Sequence, residues 1–223
     1  MDINNPLYSK QGIHLVNALF TVDKGKFKVL LIKRKNQPYK DKWILVGGAC
    51  YNNETVENGM KREMQEKTGI TGVDFQLFGV YSNPNRSPLM RMLAVAFISV
   101  IDCEKVKVLT QTQKTSDAEW FEIDKVKGLG YDHDEILADA VKYLKNNIFS
   151  SNILKNLFPH NFTLPLLHKA SESILGKKID RRNFRKKLLS THIIEEDGIL
   201  TQKGKKSAIL YKFCENDVEN LKF

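Results

Sequence analysis

Apolar positions in the first two thirds of the chain fall into short runs broken by polar turns. Ile13 to Val22 and Phe27 to Lys33 have strand length, and Asp23-Lys24-Gly25-Lys26 between them predicts a hairpin. Further strand-like runs follow at Trp43 to Val46, Phe75 to Tyr81, Met92 to Ile101 and Glu119 to Ile123. One helix is predicted among them, from Thr55 to Thr68. A second follows Tyr131-Asp132-His133-Asp134, where Ile136, Leu137, Ala140, Val141 and Leu144 repeat on one helical face. The alternation predicts an α+β domain on a mixed sheet.

Past Asn146 the pattern changes. Ser150, Ser151 and Asn152 mark a joint, and a short apolar helix, Ile153 to Phe158, ends at Pro159. Thr163 is placed to cap a helix that turns Leu164, Leu167, Ala170, Ile174 and Leu175 inward, and Gly176 stops it. Asp180 caps the next, Arg181 to Leu189, which buries Phe184 and Leu188 and presents Arg182, Arg185 and Lys186 on another side. Strand-like Ile193 to Glu195 and Ile209 to Phe213 flank a basic turn, Lys203-Gly204-Lys205-Lys206. Two domains are expected, 1–148 and 149–223.

A chain of 223 residues with 42% hydrophobic content can bury a sizeable core and is long enough for one domain plus a smaller companion. No apolar run approaches the roughly 20 residues that cross a bilayer, and Met1-Asp2-Ile3-Asn4 lacks the layout of a signal peptide, so no membrane role and a cytosolic location are expected. Cys50, Cys103 and Cys214 are odd in number and far apart, which suggests neither a disulfide framework nor a zinc site. The formal charge of +9 is uneven: residues 1–149 carry +3 and residues 150–223 carry +6. This asymmetry fits a polyanion partner for the C-terminal part, or a solvated basic face.

Candidate chemistry gathers between Gly48 and Ile70. Glu63, Glu66 and Lys67 stand at i, i+3 and i+4, so their side chains converge on one helix face. Three carboxylates there would bind Mg²⁺ together with a diphosphate. Lys67 instead places an ammonium among them, in the favourable order for an ion pair with Glu63. Gly59 costs about 1 kcal/mol relative to alanine inside a helix, which points to close packing or to no special role.

Gly48, five residues, Glu54, seven residues, then Arg62-Glu63-Met64-Gln65-Glu66-Lys67-Thr68-Gly69-Ile70 resembles the Nudix box at every fixed position but one. The departure is Lys67, where the family has glutamate. A solvated charged helix would not require Gly48, Glu54 and Gly69 at family spacing. The resemblance implies a Nudix fold over roughly residues 10–148. The loop Asn83-Pro84-Asn85-Arg86-Ser87-Pro88-Leu89-Met90-Arg91 resembles an arginine-bearing loop of Nudix-related regulators, from which Ser87 and Met90 depart. Arg86 and Arg91 are read as ligand contacts or surface salt bridges, and Arg34 and Glu63 join the ligand-binding candidates. Asp132-His133 fits a helix cap and turn better than a metal site, and Trp43 and Trp120 fit the core or a pocket wall.

Two capped helices and a basic hairpin form the pattern of a winged helix-turn-helix. Phe162-Thr163-Leu164-Pro165, Glu172 with Ile174-Leu175-Gly176, Asp180 to Leu188 and Leu210-Tyr211-Lys212-Phe213 resemble the C-terminal domain of Nudix-related transcriptional regulators of the NrtR/AraR type. That resemblance implies a homodimeric bacterial regulator, a repressor, that binds operator double-stranded DNA and a small-molecule effector in a degenerate pocket. In the NrtR branch the effector is ADP-ribose or a relative and the genes concern NAD metabolism; in the AraR branch it is a sugar. Arg181, Arg182, Asn183, Arg185 and Lys186 become the DNA-binding candidates, with Lys203, Lys205 and Lys206 on backbone phosphates. No cofactor is required. Under the alternative reading, a working hydrolase of an ADP-sugar, Glu54, Arg62, Glu63 and Glu66 form the residual catalytic set and Glu63 and Glu66 hold Mg²⁺ weakly. An RNA-associated Nudix protein is a third reading, which explains the charge but not the recognition helix.

Overall fold

A computed structural model describes residues 5, 7, 9–149, 153–158, 160–201 and 207–214. The first apolar run becomes β1 (Gly12–Asp23) and the second β2 (Lys26–Arg34), joined through Lys24 at φ 49° and Gly25 at φ 75°. Two consecutive left-handed residues are the signature of a type I′ turn, whose twist matches that of the strands it joins. They are followed by β3 (Trp43–Ala49), β4 (Gln76–Tyr81), β5 (Met92–Val100) and β6 (Thr115–Glu122). The six strands form one sheet in the order β4-β5-β1-β3-β2-β6, in which β1–β3, β2–β3, β2–β6 and β4–β5 are antiparallel.

His14 through Thr21 are all buried, so β1 is covered on both faces. Neighbouring β1 residues identify the two covers. Leu15 packs against Gly59 of α1 (Val56–Thr68), whereas His14 stacks on His133 at the start of α2 (His133–Asn147). Leu15, Leu19, Leu30, Leu31, Ile44 and Leu45 lie at 2% exposure or less between these layers, and each such side chain stabilises the fold by about 1.5–3 kcal/mol.

β6 begins four residues before the predicted run at Glu119. Its first residues are polar, but their backbone pairs with β2 as far as Arg34↔Thr115, and main-chain pairing does not need apolar side chains. The chain divides into two compact units, one of Met1–Phe20, Lys28–Ser99 and Glu104–Val141, the other of Thr21–Phe27, Val100–Cys103 and Lys142–Phe223. The division therefore falls inside α2, whereas the sequence pattern puts the joint at 148/149. Phe149, just past α2, lies 6.4 Å from Phe184, which ties the end of that helix to the second unit.

The second unit contains α3 (Ile153–Leu157), α4 (Leu164–Leu175), α5 (Arg181–Ser190), β7 (Ile194–Leu200) and β8 (Ala208–Phe213). Thr163 occupies the N-cap position of α4 without a side-chain hydrogen bond, contrary to its expected capping role; Pro165 in the first turn removes one of the amide donors there. β7 extends through the acidic Glu195-Glu196-Asp197 and a bulge before Ile199 because Lys212 of β8 lies 3.2 Å from both Glu195 and Asp197. Phe162 adds a bridge to Tyr211, two backbone bonds of 2.8 Å that give the hairpin a third partner. Among the described residues no helix is long and apolar enough to cross a membrane.

Candidate functional site

The box folds as loop, helix and loop for local reasons. Thr55 Oγ1 accepts from the Asn58 amide at 3.3 Å, and Gly69 ends α1 at φ 74°, its amide donating to Gln65 O. β3 delivers Gly47 and Gly48 to the edge of this helix. A Cβ on Gly48 would collide with the Glu63 carboxylate, so the strand must be bare there for the helix to approach. Gly59 is explained in the same way: a Cβ would lie 2.6 Å from Leu15 Cδ1 and 2.8 Å from Glu54 Oε1.

Glu54, Glu63 and Glu66 are each held by a cation of the chain. Arg62 donates through Nε and Nη2 to Glu54 at 3.0 and 2.7 Å, through Nη1 to Glu63 Oε1 at 2.6 Å, and to the Ala49 carbonyl at 2.8 Å. Its guanidinium lies 3.8 Å above the Tyr51 ring. This fork, with the Tyr51 amide, holds the Glu54 carboxyl down at about 2. Lys67 Nζ lies 3.1 Å from Glu63 Oε2 and also donates to the Gly47 carbonyl. Burial works to raise the Glu63 pKa, but Lys67 and Arg62 prevail and keep it below the carboxylate range. For Lys67, burial lowers the pKa against the pull of Glu63. Glu66 accepts from Lys114 Nζ at 2.7 Å, a bond that raises the Lys114 pKa.

Lys114 was not legible in the sequence, because it lies 48 residues from Glu66 on the loop between β5 and β6. That loop is tied to the end of α1 by Leu109 N–H to Thr68 O at 2.8 Å, and Thr112 turns the chain by accepting from the amides of Lys114 and Thr115.

A second cluster lies on the other face of the sheet. Arg86 is 5% exposed and donates through Nε and Nη2 to Asp132 at 2.8 and 2.7 Å, so it is a buried fork and not a surface bridge. Asp132 and His133 sit at the start of α2, where Asp132 O accepts from the Glu135 and Ile136 amides. His133 is fully buried; its Nδ1 accepts from the Leu45 amide at 3.0 Å, so the neutral ring carries its proton on Nε2. That Nε2–H and Arg86 Nη1 are buried donors without a protein acceptor. His14 stacks on His133 at 5.8 Å and Tyr131 on His133 at 5.4 Å, while Tyr39 meets Tyr131 in a tilted contact at 4.6 Å. Tyr39 at φ 62° and Tyr131 at φ 60° hold left-handed conformations unfavourable to aromatic residues, a form of strain that gathers at functional sites. Burial, Arg86, Lys67 and Arg34 lower the His14 pKa to about 3, and burial first, then His14 and the same cations, lowers that of His133.

Arg34 touches this cluster: its guanidinium lies 5.3 Å from the Tyr131 ring while Nε donates to Pro38 O at 2.7 Å. Arg91 does not; its Nη1 donates to the Ser82 carbonyl at 2.5 Å and braces its own loop. Trp43 is half-buried and packs edge-on against Phe121 at 4.7 Å, and Trp120 is half-buried. Among the described residues no group of three His, Cys, Asp or Glu side chains could hold a metal ion.

In the second unit, Asp180 caps α5 by accepting from the Asn183 amide at 2.8 Å, and Phe184 and Leu188 are the residues it buries. Arg181, Arg182, Asn183, Arg185 and Lys186 are all exposed. Glu172 holds the entry to α5 by accepting from the Ile179 amide at 2.9 Å, and His168 Nε2 lies 2.8 Å from the Ile179 carbonyl. Lys203, Lys205 and Lys206 lie outside the described residues.

Comparison with known proteins agrees with both halves. The NUDIX domain matches residues 14–140, and the NrtR DNA-binding winged helix domain matches residues 154–213. An ADPR responsive transcriptional repressor of Acinetobacter baylyi is 30% identical over 207 residues, 91% of this chain and 82% of the relative. An ADP-ribose pyrophosphatase of Methanocaldococcus jannaschii is 38% identical over 117 residues, 52% of this chain and 67% of the relative. Shewanella oneidensis NrtR, solved with a 27mer DNA, shares the fold at a TM-score of 0.79 and 23% identity, over 91% of this chain and 93% of that one. The chain belongs to the Nudix-domain family and, within it, to the NrtR type that carries a C-terminal DNA-binding winged helix.

Proposed function

We propose that this protein is a transcriptional regulator, a repressor that binds operator DNA through α5 and senses an ADP-ribose-like ligand in its Nudix unit. The observation that carries the reading is the exposed row Arg181, Arg182, Asn183, Arg185 and Lys186 on a helix held by Phe184 and Leu188. Guanidinium and ammonium groups suit phosphates and guanine edges, and Asn183 suits adenine. The effector is inferred from the Acinetobacter relative, whose name describes response to ADPR, and it carries the diphosphate that a Nudix pocket is built to take. The names of two relatives point to ADP-ribose.

A homodimer fits this role, since two α5 helices related by a two-fold axis match a palindromic operator. β4 is an edge strand of the sheet and exposes Leu77 and Val80, which supports self-association there. A gel shift with the DNA upstream of the chain's own and neighbouring genes, repeated with ADP-ribose, tests the reading. Retarded DNA that responds to ADP-ribose supports it, and failure to bind any such fragment at low salt counts against it.

The hydrolase reading has two observations in its favour: Glu63 and Glu66 are retained, and a 38% identical relative is named a pyrophosphatase. AMP release from ADP-ribose with Mg²⁺, abolished by Glu66→Gln, would establish it.

A further inference from the structure

The metal that a Nudix box implies does not fit this one. Mg²⁺ needs hard oxygen ligands whose charge is free to meet it. Here the three carboxylates that could serve a metal already meet cations of the chain: Glu54 with Arg62 at 2.7 Å, Glu63 with Arg62 at 2.6 Å and Lys67 at 3.1 Å, Glu66 with Lys114 at 2.7 Å. Three carboxylates face three cations, so local charge is balanced before any ion arrives. A magnesium ion would also have to displace an ammonium from a site where Glu63 is 2% and Lys67 is 7% exposed. It would then sit beside three like charges.

We propose that Lys67 and Lys114 are a protein-borne replacement for the metal. The box excludes divalent cations, and the two ammonium groups supply the positive charge that meets a ligand's diphosphate. The ligand half of this inference rests on the effector reading above; the exclusion of metal does not. Lys67 has three N–H donors and spends one on the Gly47 carbonyl; it stands 3.1 Å from Glu63 Oε2 as an ion pair, and among the described residues that oxygen accepts no aligned hydrogen bond, so the ammonium keeps an N–H for a phosphate oxygen. Lys114 is more exposed and is held through Glu66, a surface pair that exchanges readily for a more highly charged partner. The charge at Lys67 is thus fixed in place, and that at Lys114 can follow the ligand.

Mn²⁺ is a paramagnetic probe for the site, titrated into the full chain as wild type, Lys67→Glu and Lys114→Gln, each checked for folding by circular dichroism. Lys67→Glu is expected to bind Mn²⁺ about tenfold or more tightly than wild type, because it removes a cation and adds an oxygen ligand. Lys114→Gln, at an exposed position that leaves folding intact, is expected to gain about two- to fivefold by freeing Glu66. Equal Mn²⁺ affinity in wild type and both variants overturns the exclusion of metal. Calorimetry with ADP-ribose is then run on wild type in EDTA and in Mg²⁺. Affinities within about twofold of each other, weakened about three- to tenfold by Lys114→Gln, are expected. A tenfold gain on adding Mg²⁺ overturns the replacement. Absence of ADP-ribose binding in both buffers removes the effector reading and the ligand half with it, while the Mn²⁺ arm decides the exclusion by itself.

Discussion

Helices α1 and α5 are both dense in charge, and they treat it in opposite ways. On α1 the cations of the box are turned inward to carboxylates: Arg62 to Glu54 and Glu63, Lys67 to Glu63, with Lys114 reaching in from another loop to Glu66, while Lys61 stays exposed. On α5 the row Arg181, Arg182, Arg185 and Lys186 faces solvent, and among the described residues none of the four has an ion-pair partner. A charge compensated within the fold contributes to stability and is costly to remove. A charge left unpaired contributes little to stability and is available to a polyanion. The box and α5 should therefore respond to mutation in different observables.

On the Nudix side, loss of Lys67 should be costly. Removing one partner of a buried pair leaves the other charge uncompensated, which costs about 3–5 kcal/mol. Lys67→Met is expected near the lower end, about 3 kcal/mol in urea unfolding, because Arg62 still reaches Glu63 at 2.6 Å. A cost under about 1 kcal/mol would mean that the pair is not buried in solution.

The stacked histidines predict an early sensitivity to acid. His14 is neutral in the fold down to about 3, and the His133 pKa is also lowered, whereas both titrate near 6.5 when unfolded. Below 6.5 the unfolded chain binds more protons than the native one, so stability falls as pH falls, by about 1.4 kcal/mol per pH unit for each histidine. Urea unfolding at pH 7.5, 6.5 and 5.5 should show the loss beginning near pH 6.5, and His14→Asn should roughly halve its slope. Stability flat down to pH 5 would contradict the burial of this pair. A further loss follows from Glu54, whose stabilisation is present above the unfolded value of 4.5 and disappears as pH falls towards about 2.

On α5 the effects shift from stability to binding. Arg185→Ala should weaken DNA by about 1–3 kcal/mol, measured by fluorescence anisotropy, with unfolding and ADP-ribose binding unchanged. Parallel loss of both ligands would show that the helix is not a separate surface. Asp180→Ala removes the cap on the Asn183 amide and should cost about 1 kcal/mol of stability in the second unit.

Much of this molecule could be read from its sequence where the signal is local. The period-2 and period-3.6 runs place most strands and helices within a few residues, and the Asp180 cap and the buried pair Phe184 and Leu188 follow from spacing alone. What was not legible depends on distant segments meeting. Lys114 reaches Glu66 across 48 residues, Arg86 reaches Asp132 across 46, and the Leu45 amide finds His133 across 88. Gly59 is ambiguous in a helix sequence and becomes necessary only once Leu15 lies against it. Arg91 donates one N–H to the Ser82 carbonyl of its own loop, a backbone contact that the sequence pattern does not announce.

The central claim is that one chain binds DNA and reports the state of its Nudix unit. Fluorescence anisotropy of a labelled upstream fragment, titrated with the full chain in EDTA with and without ADP-ribose, tests it directly. Saturable binding whose affinity shifts about tenfold or more with ADP-ribose is the predicted result, a coupling of about 1.4 kcal/mol. Identical DNA binding curves with ADP-ribose bound and absent would contradict it.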